Sequence, residues 1–475
     1  MHRRLVRRLA VAGCALSLLV TPGLTTAGAS AATPDDAAAA PAAERHGGKG
    51  GGHHHGDRDE ARRVGYFTQW GARDRDFLVK DLVTSGTAKR LTHLNYAFGN
   101  VSPDGKCFEA NLGDEGDAYT DYQRPMTAAE SVDGRADKPR QRLAGNFNQL
   151  RKLKRMYPDL KVMMSLGGWA WSTHFSDAVR TPESRREFVS SCLDLFIEGN
   201  LPRIDGKGGP GSAAGLFDGI DLDWEWPNYP GDVDTVYRPE DKENFTALVA
   251  EFRRQLDKAE RGRHDRDRGR GHGHGHGHEC DRDLLLTAFL PASSAAMDAG
   301  YETRKLFPHL DYATVQGYDL HGAWEKNTNQ QSAIHSPDDS LEQVVDDWLE
   351  RGAPRDKIVL GIPFYGRGWQ GVEGGGDGFN QPAAGAAPGT WEAGFEDYKV
   401  LKEFAASGEY EVYRDRENGH AWLFDGNTFW TYDDPQVIAQ KAEYIDDRDL
   451  GGAMVWSLDG DDDGELYRVL DRGLD

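Results

Sequence analysis

Four carboxylates fall within eight residues of otherwise apolar sequence in Phe217-Asp218-Gly219-Ile220-Asp221-Leu222-Asp223-Trp224-Glu225-Trp226-Pro227. Side chains along a strand alternate faces, so Asp221, Asp223 and Glu225 project in a row from one face, while Asp218 falls on the other. Like charges this close cannot all ionise: at least one pKa rises and protons are shared. A site built this way keeps a carboxylic acid protonated near neutral pH, ready to donate to a leaving group. A solvated acidic loop would not carry Phe217, Ile220, Leu222, Trp224 and Trp226 between its acids. The EF-hand spacing, with its closing bidentate Glu, is also absent. The run reads as a catalytic strand, with Asp218 structural.

The chain around it alternates short apolar runs, bounded by turn residues, with amphipathic stretches, which is the pattern of βα units. Strand-like runs lie near 64–70, 91–99, 160–167, 216–224, 283–290, 311–319, 357–365 and 451–458. Eight strands with intervening helices predict an α/β fold, the (β/α)8 TIM barrel, whose chemistry sits at the carboxyl ends of its strands. The acids of the fourth strand end where that rule requires. After Pro239, the spacing of Phe245, Leu248, Val249, Phe252 and Leu256 predicts a helix with one buried stripe. Thr181-Pro182 supplies a cap and first-turn proline for another. Trp369 to Gly451 is too long for one crossover helix, and Tyr398, Leu401, Trp422 and Trp430 form a second apolar set there. This predicts an inserted subdomain over about 370–432, entered by a Gly-rich loop, within a catalytic unit spanning 63–475.

Arg3, Arg4, Arg7 and Arg8 precede an apolar run from Leu9 to Val20, and Ala29-Ser30-Ala31 offers a small-residue cleavage site, so residues 1–31 read as an export signal. Their removal takes four Arg and no acid from a chain of net charge −22, leaving 52 basic against 78 acidic residues, or −26. A surface this acidic repels nucleic acid and anionic membranes and suits a neutral polymer. Residues 32–62, rich in Ala, Pro, Gly and His, read as a disordered linker. Residues 261–279 read as a low-complexity loop ending in a Gly-His repeat. His272, His274, His276 and His278, like His53, His54 and His55, lack a thiolate or carboxylate partner at defined spacing, so no metal site is expected. Cys107, Cys192 and Cys280 remain after export and allow at most one bridge. Cys192 shares an apolar helix face with Phe188, Leu195 and Phe196, which leaves a buried thiol open beside a disulfide.

The acid run, D-x-x-D-x-D-x-E with Gly after its first Asp and Trp-Glu-Trp-Pro at its end, resembles the signature of glycoside hydrolase family 18, the chitinases. Lys161-Val-Met-Met-Ser165-Leu-Gly167-Gly168-Trp169 is similar to that family's S-x-G-G strand, and Tyr318-Asp319 resembles its Y-D strand. Gly65-Tyr66-Phe67, Asn95-Tyr96-Ala97-Phe98, Gly361-Ile-Pro363-Phe-Tyr365-Gly366-Arg367 and Gly451-Gly452-Ala-Met454-Val-Trp456 continue the match, in family order, over about 64–475. The resemblance implies a small α+β insertion forming one wall of the substrate cleft.

It also implies a chemistry. Most glycosidases use two carboxyl groups, and family 18 is a substrate-assisted exception. The sugar's 2-acetamido oxygen attacks its own C1, giving an oxazolinium ion and net retention. Glu225 would then be general acid and base, Asp223 would accept the acetamido N–H, and Asp221 would share a proton with Asp223. Tyr318 would orient the acetamido oxygen, and Asp319 belongs to the same pocket. The chain departs from the family at Gln316, where Met is frequent, and at Trp226, where Tyr is frequent. Aromatic faces stack on sugar rings, and there are twelve Trp. Trp456 matches the floor of the cleavage subsite, and Trp169, Trp324 and Trp70 match neighbouring subsites. Tyr66, Phe98, Tyr365, Arg367 and Gln316 are further substrate-binding candidates. The expected protein is a secreted, monomeric chitinase acting on chitin or chitooligosaccharides without metal or cofactor. The alternatives are an endo-β-N-acetylglucosaminidase acting on N-glycans or wall polymers and a chitin-binding lectin, against which the presence of Glu225 weighs.

Overall fold

The structure, a computed structural model, describes residues 60–268 and 284–474, with backbone alone for 263–268. The export signal, all but the end of the linker, His53–His55, His272–His278 and Cys280 lie outside the described residues.

Eight parallel strands form the centre: β1 Arg62–Thr68, β2 His93–Val101, β3 Lys161–Gly167, β4 Gly219–Asp223, β5 Leu285–Leu290, β6 Tyr312–Val315, β7 Ile358–Pro363 and β8 Gly452–Trp456. Each pairs in parallel with its neighbours in sequence, and β1 pairs with both β2 and β8, which closes the barrel. Every run expected to be a strand is one. The helix Asp241–Arg268 buries Phe245, Leu248, Val249, Phe252 and Leu256 completely or nearly so against the barrel wall. It continues through the first eight residues of the segment expected as a loop from 261. Four of those residues are Arg, a good helix former, and none is proline, so an established helix propagates into them. Thr181 caps the helix Pro182–Cys192, its hydroxyl accepting from Ser184 N.

Between β7 and β8 the chain builds an antiparallel sheet in the order Gly385–Ala386, Tyr365–Gln370, Thr428–Tyr432, His420–Phe424, Glu411–Asp415, with Phe395–Asp397 also paired to Tyr365–Gln370. The helix Tyr398–Ser407 follows. The insertion sheet thus starts at Tyr365, two residues after the end of β7, and carries Tyr365 and Arg367 on its first strand. Cys107 and Cys192 form a disulfide that joins a short strand beside β2 to the end of the helix Pro182–Cys192, which settles the alternative left open for Cys192. No described helix is long and apolar enough to cross a membrane.

Candidate active site

Strand register decides which side chains meet the acids. Ser165 on β3 and Thr287 on β5 flank Asp221 at the same level. Both hydroxyls donate to its carboxylate, Ser165 to Oδ2 at 2.7 Å and Thr287 to Oδ1 at 2.6 Å. From β1, Tyr66 donates to Oδ2 at 2.7 Å. Burial raises the pKa of Asp221, and these three donors oppose that rise by favouring its anion. Asp221 is thus held by three hydroxyls from neighbouring strands. Beside burial, the charge that most raises the Asp223 pKa is that of Glu225, followed by that of Asp221. Asp221 spends both oxygens on donors from three strands, while Asp223 lies two residues further along β4, level with Gly167.

Burial pushes Asp223 well above the ordinary carboxyl range, and the charges of Glu225 and then Asp221 push it further. Its Oδ1 is buried and meets no donor among the described residues, an acceptor that a ligand N–H would satisfy. Glu225 is pushed up to about 8, by burial first and then by the negative charge of Asp319. Its side chain remains partly accessible. Asp218 faces outward, pairing with Lys154 at 2.7 Å and accepting from Val162 N at 2.8 Å, in the structural position expected for it.

The backbone around Glu225 is held by a residue without a role in the sequence reading. Ser172 Oγ accepts from Glu225 N at 2.9 Å and donates to Gly168 O at 2.9 Å. Gly167 has φ 109°, and a Cβ there would lie 2.2 Å from the Asp223 carbonyl oxygen. The Gly-Gly pair thus lets the end of β3 close onto the acid strand. Thr287, the one polar residue in the buried run Leu284–Leu290, carried a signal that could have found it, since a buried hydroxyl needs a partner.

Asp319, with φ 59°, receives Arg367 in bidentate fashion, Nε to Oδ1 and Nη2 to Oδ2 at 2.7 Å each, and Tyr365 Oη at 2.7 Å. Tyr318 packs on Phe289 with ring centroids 6.2 Å apart. It is 6% exposed, and the charges of Asp223 and Glu225 act on its hydroxyl. Gln316, partly buried, is anchored by Ala292 N donating to its Oε1 at 3.2 Å. Trp226 packs on Phe289 at 5.5 Å.

Several expected substrate-binding residues stand in a different layer. Tyr66, Tyr365 and Arg367 are 1%, 3% and 3% exposed, with their polar atoms already committed to Asp221 and Asp319. They position acids and offer a ligand no open face. Trp456 is partly open and meets Phe98 at 5.7 Å, Tyr66 at 5.3 Å and Trp70 at 6.5 Å, so Trp456, Phe98 and Trp70 form one aromatic group beside the acids. Trp169 is partly exposed, its buried indole N–H unpaired. Trp324 is 36% exposed, with the Arg367 guanidinium 5.3 Å from its ring centroid.

The arrangement supplies one accessible carboxyl whose pKa is pushed up to about 8, one buried acceptor that meets no donor among the described residues, a tyrosine hydroxyl and an aromatic border. The model of glycosyl hydrolases family 18 matches residues 62–461. Chitinase C of Streptomyces lividans is 38% identical over 429 residues, 86% of this chain and 59% of that protein. Chitinase A1 of Niallia circulans is 32% identical over 456 residues, 88% of this chain and 59% of that protein. The chain thus spans about three fifths of the length of these curated relatives. The catalytic domain of a psychrophilic chitinase B from Arthrobacter TAD20 superposes with a TM-score of 0.80 at 41% identity, covering 87% of this chain and 95% of that one.

Proposed function

The chain belongs to glycosyl hydrolases family 18, and from that premise we propose that it is an exported chitinase, cleaving β-1,4 N-acetylglucosamine linkages with retention through an oxazolinium ion. The observation that carries this reading is Asp223 Oδ1, a buried carboxylate acceptor without a donor, next to the protonated Glu225. An acetamido N–H would meet that acceptor, and the acetamido oxygen would then be held toward C1 with the Tyr318 hydroxyl on it. Glu225 protonates the glycosidic oxygen as the C1–O bond breaks and the acetamido oxygen bonds to C1. It afterwards takes a proton from the water that opens the ring. A protein nucleophile is not needed, and two of the neighbouring acids are already engaged: Asp221 by three hydroxyls and Asp319 by Arg367 and Tyr365. Export rests on residues 1–31 and agrees with the Cys107–Cys192 disulfide, a bond of oxidising compartments.

Proton NMR of a fresh chitohexaose digest should show the β-anomer as the first product. First appearance of the α-anomer would mean inversion and would remove the substrate-assisted mechanism. The pH dependence offers a second check. Glu225 donates only while protonated, neutral below about 8 and ionised above it. On this basis kcat/KM should hold up to near pH 8 and then fall about tenfold per pH unit. A basic limb starting about two units lower would assign the proton to another group.

A further inference from the structure

Trp391 lies in the insertion, in the turn between the strands Gly385–Ala386 and Phe395–Asp397. It is 40% exposed, more than any other tryptophan described. An indole left in solvent would ordinarily be loosely held, yet this one is fixed on two sides. Its Nε1 donates to Asp397 Oδ2 at 3.1 Å, and the Arg75 guanidinium lies 5.2 Å from its ring centroid. Arg75 is itself clamped by Asp397 at 2.9 Å and Asp459 at 3.3 Å, both carboxylates buried. The turn is equally fixed: Thr390 N and Oγ1 both donate to Glu396 Oε2 at 2.8 Å, and Gly394 N donates to Ala387 O at 2.7 Å.

The position is continuous with the acid site. Tyr318 meets Tyr365 at 6.0 Å, Tyr365 stacks on Phe395 at 4.6 Å, and Arg75 reaches both Phe395, at 5.8 Å, and Trp391. Arg75 follows Trp70 by five residues, and Asp459 follows Trp456 by three, so the Trp391 clamp joins the insertion to the segments that run on from two of the aromatic residues beside the acids.

We infer that Trp391 is a stacking platform for a sugar of the bound chain beyond those at the acids, contributed by the insertion wall. An N-acetylglucosamine ring offers an apolar C–H face to an indole, and an indole fixed beforehand loses little freedom on binding. The inference rests on the chitinase reading above, and it concerns affinity for long chains, since Trp391 touches none of the groups that move protons.

The test compares KM and kcat for chitohexaose and for 4-nitrophenyl chitobioside. Trp391→Ala should raise KM for chitohexaose about tenfold, the equivalent of about 1.4 kcal/mol, with kcat and the short substrate unchanged. Trp391→Leu, which retains apolar volume without a π face and protects against a folding defect in the Ala variant, should lose affinity similarly. Trp391→Phe, which keeps a ring and gives up only the bond to Asp397, should stay within about threefold of wild type. An unchanged chitohexaose KM in both Ala and Leu variants, or an equal loss on the short substrate, overturns the platform. Wild-type protein that cleaves neither substrate overturns the chitinase reading and the platform with it.

Discussion

Glu225→Gln should lower kcat on chitohexaose by about 10²- to 10⁴-fold and leave binding of the oligosaccharide nearly intact. The amide matches the carboxyl in shape but has no acidic proton to deliver, and it cannot take one from water in the second half of the reaction. The backbone at this position is held independently of the side chain, through Glu225 N and Ser172 Oγ, so the variant should keep the site's geometry. Glu225 is also partly accessible, and its replacement by a neutral amide removes a group whose ionisation the surroundings oppose. Calorimetric titration with chitohexaose and kcat measured on the same preparation separate the two effects. A kcat within tenfold of wild type would mean another group protonates the leaving oxygen.

Asp223→Asn is expected to cost about 10²- to 10³-fold in kcat, with a different signature in stability. The amide can still donate to Glu225, but it loses the second oxygen offered to the acetamido N–H and cannot give up a proton to become an anion as positive charge develops at C1. Burial and the neighbouring acids raise the Asp223 pKa above its ordinary 3.8, so the folded state holds that proton more tightly than the unfolded chain does. The stability associated with it is complete below pH 3.8 and is lost as pH rises toward the folded-state value. An asparagine carries no such loss. At pH 7 the variant should therefore melt at the same temperature as wild type or higher, while being far less active. A clear drop in melting temperature at pH 7, at full retention of kcat, would reverse the assignment and make Asp223 a structural acid.

The spacing of Asp221, Asp223 and Glu225 was enough to place three acids on one face, because alternation along a strand is a local property of the backbone. The same holds for the stripe Phe245 to Leu256, for the Thr181-Pro182 cap and for the number and order of the barrel strands, since each follows from residues near one another in the chain. What those acids do to each other was not local. Tyr66, Ser165 and Thr287 come to Asp221 from three separate strands, and their levels are set by the register in which the barrel closes, which no single strand encodes. With those donors on Asp221, the charges that raise the Asp223 pKa beside burial are those of Glu225 and then of Asp221.

Burial was decided the same way. An aromatic at a strand end reads alike whether it faces a ligand or lies under the acids, and Tyr66 and Tyr365 proved to be of the second kind. The pairing of Cys107 with Cys192 across a separation of 85 residues, and the clamp that holds Trp391 through Arg75, Asp397 and Asp459, likewise join distant segments. The sequence by itself determined the fold, the family and the identity of the acids, because these depend on residue type and short-range period. Only the tertiary structure decided which groups surround each acid, which rings are open and which cysteines meet, because those depend on distances between segments that the chain brings together only when it folds.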